Sequence, residues 1–108
     1  MNDVTRSTGS FITLTEAETL VADWATLQTT TSQAISVANP KAFAFGRDKL
    51  MAILDQDDCV GVRIYNGYSD SKRNLVIIGI GSDDNDQVDG YIVDFAKPCP
   101  AACPAIGL

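Results

Sequence analysis

Residues 75–81 read LVIIGIG, and the reading of this run decides the fold. Side chains of an extended chain alternate between two faces, so Leu75 and Ile77 point one way while Val76, Ile78 and Ile80 point the other. Both faces are apolar, which marks a strand sandwiched on two sides rather than one with a wet face. Upstream, residues 59–66 (CVGVRIYN) alternate Val60, Val62 and Ile64 against Gly61, Arg63 and Tyr65, the pattern of a half-buried strand. A polar stretch, residues 67–74, reads as the loop between them. Downstream, Asp83, Asp84, Asn85 and Asp86 form an acidic turn before a third alternating strand at residues 91–95. Three strands with short connections predict an antiparallel meander.

Two helices precede it. Thr13 and Glu16 have capping-box spacing, as do Thr15 and Glu18, and Leu14, Ala17, Val21, Trp24 and Leu27 follow at helical intervals with Leu20 and Ala25 widening the stripe. Trp24 on that stripe is expected in the core. The run Thr29, Thr30, Thr31 and Ser32 weakens the helix, because these side chains lose rotamers or compete for backbone bonds. Ile35 and Val37 alternate in the connector, and Pro40 disfavours helix before it. In KAFAFG, residues 41–46, Phe43 and Phe45 share one face of an extended segment. A second helix is predicted over residues 47–56, burying Leu50, Met51, Ile53 and Leu54. The expected class is α+β: two N-terminal helices packed on a three-stranded antiparallel meander in two layers. Residues 1–12 read as a polar lead-in, 13–96 as one domain, and 97–108 as a tail whose Pro98, Pro100 and Pro104 exclude helix and central strand.

The segments FAFG, GVRIYNG, LVIIGIG, SDDNDQVDGYIVD and PCPAAC, in that order, resemble a group of short Bacteroidota proteins that end in a Pro-Cys-Pro-x-x-Cys signature. The resemblance spans residues 13–104. It implies a shared fold and a shared use of the tail, and no particular activity.

Composition narrows the function classes. Fourteen acids against eight cations leave a net charge of −6. Lys72 and Arg73 are the adjacent cations and make no patch, so nucleic acid and anionic membranes are not expected partners. No apolar leader is visible, and the longest apolar run is too short to cross a bilayer, so the expectation is a cytoplasmic protein with three thiols. There is no histidine. That removes the commonest general base and metal ligand and leans the reading away from an enzyme.

Cys99 and Cys103 are the sharpest chemical feature. Their spacing suits a zinc-binding pair, with Cys59 as a third thiol and a fourth ligand from a carboxylate, a water or a second chain. A redox pair, a disulfide and simple packing of the tail remain alternatives. Asp83, Asp84, Asp86 and Asp89 invite a calcium reading. However, an EF-hand alignment with Gly90 at its sixth position puts Gln87 third and Ala96 twelfth, so hairpin-turn chemistry accounts for the acids better. Gly79 and Gly81 are half a dinucleotide fingerprint with no helix behind them. Arg63, Tyr65, Arg73 and Asp94 are candidates for a polar site on one sheet face.

The two-faced middle strand carries the functional expectation. Two helices cover one sheet face, which leaves Leu75 and Ile77 on the other to be covered by the lead-in, the tail or another copy. A homo-oligomeric or protein-interaction module follows from that, with a small metal or thiol protein using Cys99 and Cys103 as the alternative.

Overall fold

The computed structural model describes residues 3–108; Met1 and Asn2 of the lead-in lie outside the described residues. The chain runs α1 (Leu14–Thr30), β1 (Ala42–Ala44), α2 (Arg47–Leu54), β2 (Cys59–Ser69), β3 (Lys72–Gly81), β4 (Ile92–Val93) and β5 (Lys97–Cys99). The class is α+β, with two helices and antiparallel sheet. One sheet has the order β2-β3-β4, and β1 and β5 form a separate two-stranded ribbon.

The β2–β3 hairpin is longer than its apolar residues alone indicate. The residues expected as a loop pair in register, Asn66 with Leu75, Gly67 with Asn74, Tyr68 with Arg73 and Ser69 with Lys72. The turn is the dipeptide Asp70-Ser71, with φ of 52° and 60°. Two left-handed central residues give the turn type whose twist matches that of paired strands, and Asp tolerates this geometry. β4 is shorter than expected, with Ile77 opposite Val93 and Ile78 opposite Ile92.

The tail contributes a strand. Phe43 pairs with Pro98 and Ala42 with Cys99, so residues 97–99 belong to the folded body. Pro98 is tolerated because the ribbon has only two strands and asks nothing of the proline's missing N–H on a second side.

β3 is the middle strand, and its two faces are used differently. Arg73, Leu75, Ile77 and Gly79 share one face by alternation. Here Arg73 meets Trp24 and Phe43, and Gln56, just beyond α2, closes against Gly79, where an added Cβ would lie 3.1 Å from its Nε2. Ile77 is 3% exposed and Leu75 half-buried. On the opposite face Ile78 and Ile80 are buried as well. The chain itself therefore covers the Leu75 and Ile77 face, correcting the expectation that it lies open for association. Among the described residues the buried apolar side chains are Pro40, Ile53, Ile77, Ile78, Ile80 and Cys99.

α1 begins as expected. The Thr13 hydroxyl accepts from the Glu16 N–H at 3.1 Å, and Glu16 accepts from the Thr13 N–H at 3.2 Å. It runs through the threonines because Thr29, Thr30 and Thr31 turn their hydroxyls onto the carbonyls four residues back. α2 packs on β2 and β3, but α1 buries none of its residues. Trp24 is half-buried rather than core.

Candidate functional site

Four side chains converge on the Ile78 face. Arg63 stands opposite Ile78 across the hairpin, and Asp86 bridges to Ile80, so the register brings the two onto one face. Arg63 Nη1 donates to Asp86 Oδ1, Arg63 Nη2 reaches Asp84 Oδ1 at 3.4 Å, and the Tyr65 hydroxyl donates to Asp86 Oδ2. Val4 closes one end, its N–H donating to Asp84 Oδ1 at 3.2 Å. The phenol of Tyr65 and the guanidinium of Arg63 hold the Asp86 carboxyl below the usual carboxylate range. Donation to that carboxylate pushes the Tyr65 phenol up, and the Arg63 guanidinium rises for the same reason.

This cluster is not the one expected. Arg63 and Tyr65 do share a face, but Arg73 lies on the other side of the sheet. There its guanidinium donates to the Pro40 carbonyl at 2.7 Å and the Asn39 side chain at 3.1 Å. Asp94 lies outside β4 and accepts from the Phe95 N–H at 2.6 Å. The partners of Arg63 and Tyr65 are instead acids of the turn. Pairs spaced by two, Arg63 with Tyr65 and Asp84 with Asp86, were the available signal.

The same contacts correct the calcium reading. Asp84 and Asp86 are turned to protein donors. Asp83 accepts from the Asn85 N–H at 3.1 Å and its side-chain amide at 3.0 Å, contacts that hold its carboxyl down. Asp89 is exposed in a turn closed by Gly90 N–H to Gln87 O at 3.0 Å. Among the described residues no three acids or cysteines gather in a metal-holding group.

The cysteines separate in the same way. Cys99 and Cys103 form a disulfide, with Cα atoms 4.7 Å apart, so they are not the free thiols expected of the chain and offer no thiolate to zinc. Cys59 is a free thiol at the start of β2, in the other sheet, donating to the Gly61 carbonyl at 3.2 Å. The bridge is asymmetric: Cys99 is buried in the β1–β5 ribbon and Cys103 is exposed.

No protein-family model, no curated protein and no solved structure matches this chain. Function therefore rests on this chain's own geometry.

Two further features escaped the sequence reading. The first is a cleft of about 660 Å³ between α2 and residues 91–97. A pair of glutamines positions its β4 wall. Gln56 accepts from the Tyr91 N–H at 2.8 Å and donates to the Ile53 carbonyl at 2.9 Å, while Gln87 donates to the Asp57 carbonyl at 2.9 Å. Glutamines in loops give no sequence signal of this kind. The second is the outer side of α1. Leu20 is 62% exposed and Leu27 55%, one heptad apart, beside the half-buried Ala17, Val21 and Trp24. No helix of the described residues is long and apolar enough to cross a membrane.

Proposed function

We propose that this protein is a self-associating module whose helix α1 pairs with α1 of a second copy. The observation that carries the reading is surface left uncovered. The chain exposes 7994 Å², whereas a compact monomer of its mass exposes about 5,800 Å². Its radius of gyration is 15.5 Å, against about 13 Å for a compact chain of this length. The extended lead-in supplies part of that excess, and α1, with no buried residue, supplies another part. The excess is about 2,000 Å² per chain, so a pair carries about 4,000 Å², within the range that an obligate pair of chains removes from water.

The helix also carries the pattern for pairing. Leu20 and Leu27 stand one heptad apart with Ala17 three residues before Leu20, the spacing of a seam of two packed helices, while Trp24 between them closes on Arg73 of the body. Glu16 and Glu18 lie in its first half, Asp23 lies at its middle, and no cation lies anywhere in it. Antiparallel pairing about a two-fold axis keeps Glu16 and Glu18 of the two copies apart. Pairing also gives α1 an apolar neighbour and completes the helical layer of a two-layer fold. The test is sedentation-equilibrium ultracentrifugation of the wild type and of Leu20→Asp with Leu27→Asp. A wild-type dimer at micromolar concentration and a monomeric variant with its sheet intact are the expected results; a monomeric wild type at high micromolar concentration overturns the reading.

The bridge between Cys99 and an exposed Cys103 favours a second reading, a thiol–disulfide protein. An incoming thiolate attacks the Cys103 sulfur, forming a mixed disulfide there, and Cys99 leaves as thiolate. The cytoplasmic assignment goes with the reduced pair, and an oxidising compartment with the bridged one. Equilibration in glutathione buffers followed by mass measurement tests it. Conversion within the cytosolic range supports exchange, and a bridge that stays closed throughout rejects it.

A further inference from the structure

We infer that the cleft between α2 and residues 91–97 binds a small amphipathic anion, a carboxylate carried on an aromatic or branched aliphatic body. Its volume of about 660 Å³ falls in the range of small-ligand sites. Phe45, Ala52, Tyr91 and Val93 give it apolar walls, and Lys49 from α2 and Lys97 from β5 line it together. Among the described residues the ion pairs are those of Arg63, and neither lysine has a carboxylate partner. In a chain of net charge −6, two unpaired ammonium groups beside one apolar cleft reverse the local sign of charge and suit an anion. Asp94, the acid on the rim, is turned to the Phe95 N–H at 2.6 Å.

Phe95 adds an independent observation. Its backbone is in the left-handed region, φ 59°, a conformation that bulky residues rarely adopt, and its side chain is 95% exposed. The chain thus holds an aromatic ring at the mouth of an apolar cleft, out of its own core. A bound aromatic or branched body gives that ring a surface to close on. The walls come from α2 and the two sheets and include no residue of α1, so this site stands or falls apart from the proposed pairing.

The probe is 3-phenylpropionate, with the neutral 3-phenylpropanamide as control, titrated into ¹⁵N-labelled protein and followed by amide shifts. The acid is expected to saturate shifts confined to residues 44–52 and 91–97, and to bind on the order of tenfold more tightly than the amide, as a charge-assisted contact provides. Lys49→Met with Lys97→Met keeps the apolar stems and is expected to abolish the preference for the acid. Phe95→Ala, at an exposed position, is expected to weaken both compounds. Equal binding of acid and amide, shifts outside the cleft, or no shift at millimolar acid overturns the inference. Cleft shifts that follow protein concentration without ligand also overturn it, by assigning the cleft to a second copy.

Discussion

The guanidinium carbon of Arg73 lies 4.9 Å from the centroid of the Phe43 ring, and the same group sits 5.6 Å from the centroid of Trp24. One cation on β3 thereby joins α1 and β1 to the sheet. Its N–H groups are also committed, to the Pro40 carbonyl and the Asn39 side chain, and its backbone N–H donates to the Ala38 carbonyl at 2.9 Å. A planar fork can stack on rings while donating in its own plane; an ammonium cannot. Because α1 has half-buried residues but no buried one, Arg73 is a principal tie between that helix and the body.

Arg73→Ala is therefore expected to cost about 1–3 kcal/mol, from lost stacking and an unpaired carbonyl at buried Pro40. Arg73→Lys is expected to recover less than half of the loss. Urea denaturation measures the cost. The emission of Trp24, the single tryptophan, reports the local effect and is expected to shift red in the native alanine variant.

Asp86 and Tyr65 set the pH dependence. The Asp86 carboxyl is held low by the Tyr65 hydroxyl and then by Arg63. A group whose pKa falls on folding adds stability above its unfolded value, and that stability is lost as pH drops through the folded one, below about pH 4. The Tyr65 phenol is shifted upward by the same bond. Its contribution is present at neutral pH and is lost as pH rises through its folded value, above about pH 10. Tyr65→Phe is expected to move the Asp86 midpoint up toward the ordinary carboxylate value and to flatten the alkaline limb. Carboxyl-carbon NMR titration and denaturation at graded pH measure both; an unmoved Asp86 midpoint would contradict the contact.

Local chemistry was legible in the sequence and distant pairing was not. Thr13 and Glu16 announce the start of α1 because a capping box is complete within four residues. Alternation at residues 59–66 and 75–80 announces the hairpin for the same reason. The hairpin's outer half was hidden because Asn66, Tyr68, Arg73 and Asn74 carry no apolar alternation, and only the Asp70-Ser71 turn holds them in register. That hidden half put Arg73 on the face opposite Arg63. The partners Asp84 and Asp86 lie some twenty residues beyond Arg63, and the cleft joins α2 to residues 91–97; neither distance leaves a periodic trace. The spacing of Cys99 and Cys103 is compatible with a bridge, a metal or neither, and only the path of the chain after β5 selects the bridge.

The bridge closes a loop of a few residues, since Cys99 and Cys103 are four apart. The chain-entropy relation gives about 2 kcal/mol for so short a loop. Reduction, or Cys103→Ser, is expected to lower stability by about that amount. Because Cys103 is exposed and Cys99 buried, brief alkylation of the reduced native protein is expected to label Cys103 first. Peptide mass mapping decides the order, and equal labelling of both thiols would show that the β1–β5 ribbon opens on reduction.

Gly79 and Gly61 provide a matched pair of substitutions on the same hairpin. A Cβ at Gly79 would lie 2.5 Å from Gln87 Oε1, 3.1 Å from Gln56 Nε2 and 3.2 Å from Cys59 Sγ, between β3, the end of α2 and the turn before β4. The Gln87 amide would have to swing aside and the other two atoms give way by a few tenths of an ångström; Gln87 is held by the Asp57 carbonyl, and Gln56 by the Ile53 carbonyl and the Tyr91 N–H. At Gly61 the nearest atom is Val4 Cγ1 at 3.9 Å, an ordinary contact. Gly79→Ala is accordingly expected to cost about 1–3 kcal/mol through overpacking. Gly61→Ala is expected to be neutral or to gain up to about 1 kcal/mol, because alanine orders into a strand at a smaller entropic cost. Thermal unfolding of the two variants side by side measures the difference. Equal effects would mean that α2 does not close on β3 as described, and the wall of the cleft beside Tyr91 would lose its support.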